Sequence, residues 1–164
     1  MLSHKLLFEK YYARLCDFAR RILSDEMLAE DVVQDVFLAF IERSESAEIE
    51  ANSIRSYLYR SVKNACLNKL RKDKVIERFE SAHELPLIDD EHALSAMIHS
   101  EIVGEIHHAL KKLPEGCRMI IGLGYFEGLN NPQIASELNI SVNTVKSQKQ
   151  RALFLLRKDL VPGT

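Results

Sequence analysis

Apolar residues recur along this chain at steps of three and four, the spacing that places them on one face of an α-helix. Almost nowhere do they follow the strict alternation of a half-buried strand. Leu6, Leu7, Tyr11, Leu15, Phe18 and Ile22 mark a first helix. Ser24-Asp25 then offers an N-cap for a second, whose apolar side carries Leu28, Val32, Val33, Val36, Phe37, Phe40 and Ile41. Polar residues from Ser44 to Asn52 read as a loop. A third helix follows from about Ser53 to Lys72, with Ile54, Leu58, Val62, Cys66 and Leu70 spaced for a core. Three helices with inward stripes make one small bundle.

Periodicity lapses between Lys74 and Glu91, a stretch that contains Pro86 and many acidic groups and reads as a linker. Leu94, Ile98, Ile102, Ile106, Leu110 and Leu113 mark a further helix, ended by Pro114. Shorter helices follow at about Cys117 to Tyr125, Pro132 to Leu138 and Val142 to Arg157. The predicted fold class is all-α: a three-helix domain over 1–74, an acidic linker over 75–93 and a second helical domain over 94–164.

Composition narrows the function classes. With 164 residues, 46% hydrophobic and 28% charged, the chain has the make-up of a folding domain rather than a low-complexity or fibrous one. No apolar run reaches the ~18 to 20 residues of a membrane span, and the opening Met1-Leu2-Ser3-His4-Lys5 lacks a secretion signal. Cys16, Cys66 and Cys117 are widely spaced with no CxxC pair, which fits a reduced, cytoplasmic setting. The six histidines form no ligand pattern such as HExxH, so neither a metal nor a cofactor is expected. A phosphate-binding glycine loop, a nucleophile elbow and a converging acid–base cluster are all missing from the sequence, which argues against an enzyme.

Charge is segregated beneath a formal net of -2. Residues 1–54 carry net -5, 55–74 net +6, 75–112 net -5 and 113–164 net +2. A polyanion responds to the field within about one Debye length, ~8 to 10 Å, so two basic stretches can touch a phosphate backbone although the whole chain is acidic.

Residues 131–158 carry the sharpest motif. Asn131-Pro132 reads as an N-cap followed by proline at the first helical position. Asn139 tolerates a left-handed backbone, and Ser141 caps the next helix. Ile134, Ala135, Leu138, Ile140 and Val145 are spaced to lock the two helices together, which is the pattern of a helix-turn-helix. At about 100° per residue, Val142, Val145, Ala152, Leu153 and Leu156 fall toward the core. Asn143, Ser147, Gln150 and Arg151 fall on the opposite side, and these are residue types that bond to base edges. Lys146, Lys149, Arg157 and Lys158 supply flanking charge for phosphates.

On the third helix Arg60, Lys63, Arg71 and Lys74 gather in a stripe beside Tyr57, Asn64 and Asn68. Cations next to an aromatic and amides suit a single strand, whose backbone follows the charge while exposed bases stack or bond.

At this point a family resemblance emerges. Ala29-Glu30-Asp31-Val32-Val33-Gln34-Asp35-Val36-Phe37 resembles the AEDxxQxxF signature of extracytoplasmic-function sigma factors, the small promoter-specificity subunits of bacterial RNA polymerase. Ser56-Tyr57-Leu58-Tyr59-Arg60-Ser61-Val62-Lys63-Asn64, with Arg71 beyond, is similar to the family's WLxxxxxN...R segment. Leu113-Pro114-Glu115-Gly116-Cys117-Arg118, Gln133-Ile134-Ala135, Ile140 to Ser147 and Arg151-Ala152-Leu153 resemble its LPxxxR and helix-turn-helix block.

The resemblance implies that residues 1–74 act as region 2, binding core polymerase and opening the −10 element, and 94–164 as region 4, reading the −35 element. It places Asp31, Gln34 and Asp35 on the polymerase, Arg60, Lys63, Asn64 and Arg71 with the loop Ser44 to Asn52 at the melted non-template strand, and Ser147, Gln150 and Arg151 on the duplex −35 element; the helical faces add Tyr57 and Asn68 to the first DNA set and Asn143, Lys146 and Lys149 to the second. It also implies an anti-sigma factor as partner. The chain departs from the family where Tyr57 replaces Trp, Asn68 replaces Asp and Gln133 replaces Glu. The residues alone leave a second reading open, a response-regulator type of helix-turn-helix protein that binds duplex DNA without core polymerase.

Overall fold

The computed structural model describes residues 3–44, 51–78 and 89–161, with side chains over 53–74 of the middle segment. Among the described residues there are seven α-helices, a five-residue π-helical turn and no strand. The helices are α1 (His4–Leu23), α2 (Glu26–Ser44), α3 (Ala51–Arg78), α4 (Asp90–Lys111), α5 (Glu115–Ile121), α6 (Asn131–Leu138) and α7 (Val142–Leu160), with the π turn (Gly122–Phe126) between α5 and α6. None of these helices is long and apolar enough to cross a membrane. Residues 45–50 of the expected loop and 79–88 of the expected linker lie outside the described residues.

Two compact units make up the chain, Met1–Val103 and Gly104–Thr164, so they divide inside α4. In the first, α1, α2 and α3 all pack on one another. Leu15, Phe18, Val33, Phe37, Phe40, Leu58, Val62 and Cys66 form its centre, as the periodicity requires. Burial pushes the Cys66 thiol up to about 12, so it stays a neutral packing group. Leu6, expected inside, is exposed beside buried Leu7, because a one-residue step turns a helix by ~100°.

Ser24 ends α1 in the left-handed conformation (φ 56°), its N–H donating to the Arg20 carbonyl at 2.8 Å. The Asp25 carboxylate then accepts from the Leu28 N–H at 3.1 Å and caps α2. The Ser24-Asp25 signal in the sequence therefore marks a sharp joint between two helices.

The fourth helix reverses an expectation. Leu94, Ile98, Ile102 and Ile106 are exposed, whereas Ala93, Ala96 and Ser100 are buried. These small residues face the bundle, with Ala96 in its core cluster, and polar bonds hold the helix there. Glu101 accepts from Arg14 at 2.8 Å and from the Tyr59 hydroxyl at 2.7 Å, while Ser100 donates to Asp17 at 2.7 Å. Arg20 and Arg21 complete the Asp17 cluster, each at 2.9 Å. Burial of Tyr59, reinforced by its bond to Glu101, holds the phenol well above its ordinary value.

In the second unit Leu113, Cys117, Ile121 and Ala152 form one small core, and Ile120, Ile134, Ala135 and Val145 another. The Cys117 thiol donates to the Gln148 side-chain oxygen at 3.0 Å, satisfying an amide on the inner side of α7.

Candidate nucleic-acid interface

The turn between α6 and α7 is built by local capping. Asn130, one residue earlier than expected, is the N-cap of α6 and forms a reciprocal capping box with Gln133, both bonds at 2.9 Å. Asn131 is thus the first helical residue, and Pro132 lies at the second, where its missing N–H leaves no bond unmade. Asn139 closes α6 in the left-handed conformation (φ 55°), and the Ile140 N–H donates to the Ala135 carbonyl at 3.0 Å. Ser141 caps α7 by accepting from the Thr144 N–H at 3.1 Å. Ile134, Ala135 and Val145 are buried together, so the two helices are locked as a helix-turn-helix.

Asn143, Lys146, Ser147, Gln150 and Arg151 are all exposed on α7. Among the described residues neither Lys146 nor Arg151 has an ion-pair partner, and Asp159, near the end of α7, is taken by Lys112 at 3.6 Å. Val142 and Leu153, expected to face the core, are exposed instead. The inner line of the helix runs through Val145, Gln148 and Ala152, and both residues lie roughly 80 to 100° off it.

Lys149 differs from its neighbours. It is half-buried, its Nζ donates to Asn131 Oδ1 at 2.5 Å, and the same nitrogen lies 6.0 Å from the centre of the Tyr125 ring.

On α3, Arg60, Asn64, Asn68 and Arg71 are exposed and fall within an arc of about 80° that also contains Tyr57. Tyr57 is half-buried, with its ring centroid 5.8 Å from that of Phe40 and its hydroxyl accepting from Arg43 at 3.3 Å. Packing therefore fixes its ring while part of the side chain stays exposed. Lys63 lies beside this arc and donates to Asp90 at 2.6 Å. That bond holds the exposed Asp90 carboxyl below the ordinary carboxylate range.

Asp31, Gln34 and Asp35 are exposed on one side of α2. Gln34 donates to the Tyr12 hydroxyl at 3.4 Å. Met27 and Leu38, 78% and 61% exposed, share this side and were not singled out from the sequence. Their helical angle relative to Gln34 was the available signal. Among the described residues no group of three or more His, Cys, Asp or Glu side chains could hold a metal ion.

Comparison with known proteins agrees with this division. The family described as Sigma-70 region 2 matches residues 7–75, and Sigma-70, region 4, matches residues 104–156. RNA polymerase sigma-H factor of Pseudomonas aeruginosa is 29% identical over 171 residues, covering 96% of this chain and 86% of that protein. ECF RNA polymerase sigma factor SigW of Bacillus subtilis is 26% identical over 159 residues, covering 92% and 84%. Among solved structures, the sigma factor RpoE of Bartonella quintana, in complex with the anti-sigma factor NepR, aligns over 98% of both chains with a TM-score of 0.39 and 21% identity. A region 2 match ahead of the helix-turn-helix disfavours the response-regulator reading, which accounts only for the second unit. Carrying region 2 and region 4 in that order, the chain belongs to the extracytoplasmic-function RNA polymerase sigma factors.

Proposed function

We propose that this chain binds core RNA polymerase in the cytoplasm and directs promoter-specific initiation by gripping the promoter at two places. Residues 1–74, with the front half of α4 that belongs to the same compact unit, would serve as the −10 module, and the second unit as the −35 module. The observation that carries this reading is the exposed face of α7, where Asn143, Ser147, Gln150 and Arg151 stand together on a helix locked by its caps. Amide and guanidinium groups there can bond bidentately to base edges in the major groove, and Lys146 can meet a phosphate.

The α3 arc takes the second task. Arg60 and Arg71 follow the backbone of the separated non-template strand, Asn64 and Asn68 bond to base edges, and the exposed part of the Tyr57 ring offers a stacking surface. Unstacking a base costs a few kcal/mol, and capturing it offsets that cost, so opening needs no nucleotide hydrolysis by this subunit and no catalytic group in it. Asp31, Gln34 and Asp35 dock on the polymerase, with Met27 and Leu38 adding apolar contact. The family resemblance adds an anti-sigma factor that would cover these faces.

Run-off transcription with core polymerase, with and without this chain, tests the proposal. Promoter-dependent transcripts that need the added chain support it; a chain that fails to associate with core polymerase overturns it.

A further inference from the structure

Lys149 lies on α7 among residues whose side chains reach outward, yet its own turns back. On the helix it sits about 40° from buried Val145 and more than 90° from Asn143, Ser147 and Gln150. Its Nζ bonds to Asn131, the first residue of α6, and lies over the Tyr125 ring in the π turn. Gly124 lies alongside: a Cβ there would be at ordinary van der Waals distance, 3.4 Å from both Cε and Nζ of Lys149 and 3.5 Å from Ile134 Cδ1. Single π turns are rare and re-aim the residues they carry, and this one brings Tyr125 and Gly124 to the lysine.

A cation at the positive end of a helix is electrostatically disfavoured, so attraction to α6 as a whole does not account for its position. The Asn131 side-chain oxygen Oδ1 and the face of the tyrosine ring supply the negative groups that hold it. One side chain thereby joins α7, the start of α6 and the π turn.

We propose that Lys149 is a positioning residue for promoter reading: it fixes the angle of α7 in the helix-turn-helix instead of neutralising a phosphate. This rests on the reading of α7 as the −35 recognition helix. Asn131 and Tyr125, the partners of its Nζ, belong to the same device.

The two roles differ in salt dependence. A lysine on a phosphate contributes about 0.9 to the slope of log K against log salt, whereas a positioning residue contributes nothing to it. The test uses the full chain with core polymerase and a promoter duplex selected by the wild-type holoenzyme from a random pool, alongside a scrambled duplex. Lys149→Met and Asn131→Ala are each expected to lower the ratio of selected to scrambled binding roughly tenfold. The double variant should be no worse than either single one. The salt slope of the isolated full chain on the same duplex should stay at the wild-type value in both, while Lys146→Met lowers it by about one.

A Lys149→Met slope lower by about one, with Asn131→Ala binding as tightly as wild type or more tightly, overturns the proposal. If Lys149→Met does not fold, Asn131→Ala decides alone: reduced discrimination at an unchanged slope supports it, and wild-type discrimination overturns it. Failure of the wild-type holoenzyme to select any duplex overturns the −35 reading, and this inference with it.

Discussion

Glu101 and Arg14 are 87 positions apart in sequence and 2.8 Å apart in space. Arg14 is 7% exposed and Glu101 20%, so the pair is largely shielded from water, and the Tyr59 hydroxyl fills a second acceptor position on the same carboxylate. Arg55 approaches it at 3.9 Å from the wetter side. Through this carboxylate the first half of α4 is tied to α1 and α3 at once.

Replacing Glu101 with Ala should therefore destabilise the first unit by about 2 to 3 kcal/mol, since two bonds are lost and polar groups stay behind in a partly dry site. Glu101→Gln, which keeps an acceptor for Tyr59, should cost less. Urea unfolding followed by far-UV circular dichroism measures both. A Glu101→Ala midpoint equal to wild type would mean that the carboxylate does not hold α4.

Acid should loosen the same region through Asp17. Partial burial alone would raise its carboxyl, but bonds from Arg21, Ser100 and Arg20 outweigh that and leave it below the ordinary carboxylate value. A depressed native value gives stability that is present above the unfolded value of ~3.9 and disappears as pH falls through the native one. Unfolding midpoints should drop below about pH 4, and Asp17→Asn should flatten the drop. Equal acid sensitivity in the two proteins would remove Asp17 from the account.

The outer side of α2 makes a separate prediction. Asp31→Ala with Gln34→Ala should lower affinity for core polymerase about tenfold or more while leaving the unfolding midpoint within about 0.5 kcal/mol of wild type, because these side chains are exposed. Leu38→Ser should add to the loss, since it removes apolar surface from the same side. Competition binding to core polymerase reads the effect; undiminished affinity would move the docking surface elsewhere.

Arg151 tests base reading. Its truncation to alanine should cost roughly 1 to 3 kcal/mol on a selected promoter duplex and relax preference at one position. Selection from a random pool with the variant holoenzyme would show this as one degenerate position. An unchanged consensus would take Arg151 out of the reading set.

Much of this architecture is legible in the sequence because helical periodicity is a local property. The buried lines of α1, α2 and α3 follow from it, as do the cap at Ser141 and the left-handed Asn139. Periodicity says that a helix has two kinds of face without saying which one meets a neighbour. Leu94, Ile98 and Ile102 form the more apolar face of α4, but Ala93, Ala96 and Ser100 are the buried residues, because the bonds of Ser100 and Glu101 to α1 and α3 turn that side inward. Tyr59 and Glu101 escape the same reading because a buried polar pair depends on a partner distant in sequence. Lys149 reads with the phosphate contacts by its charge alone, and the side-chain oxygen to which it bonds is 18 positions away.

Because Val103 and not Pro86 or Leu94 closes the first compact unit, any truncated version meant to isolate the −10 module has to retain the front half of α4. Cutting the chain after Lys74 would strip Ser100 from Asp17 and Glu101 from Arg14 and Tyr59, baring a seam that the intact protein keeps closed. Weak behaviour of such a fragment would then report where the scissors fell, not a defect in its grip on DNA.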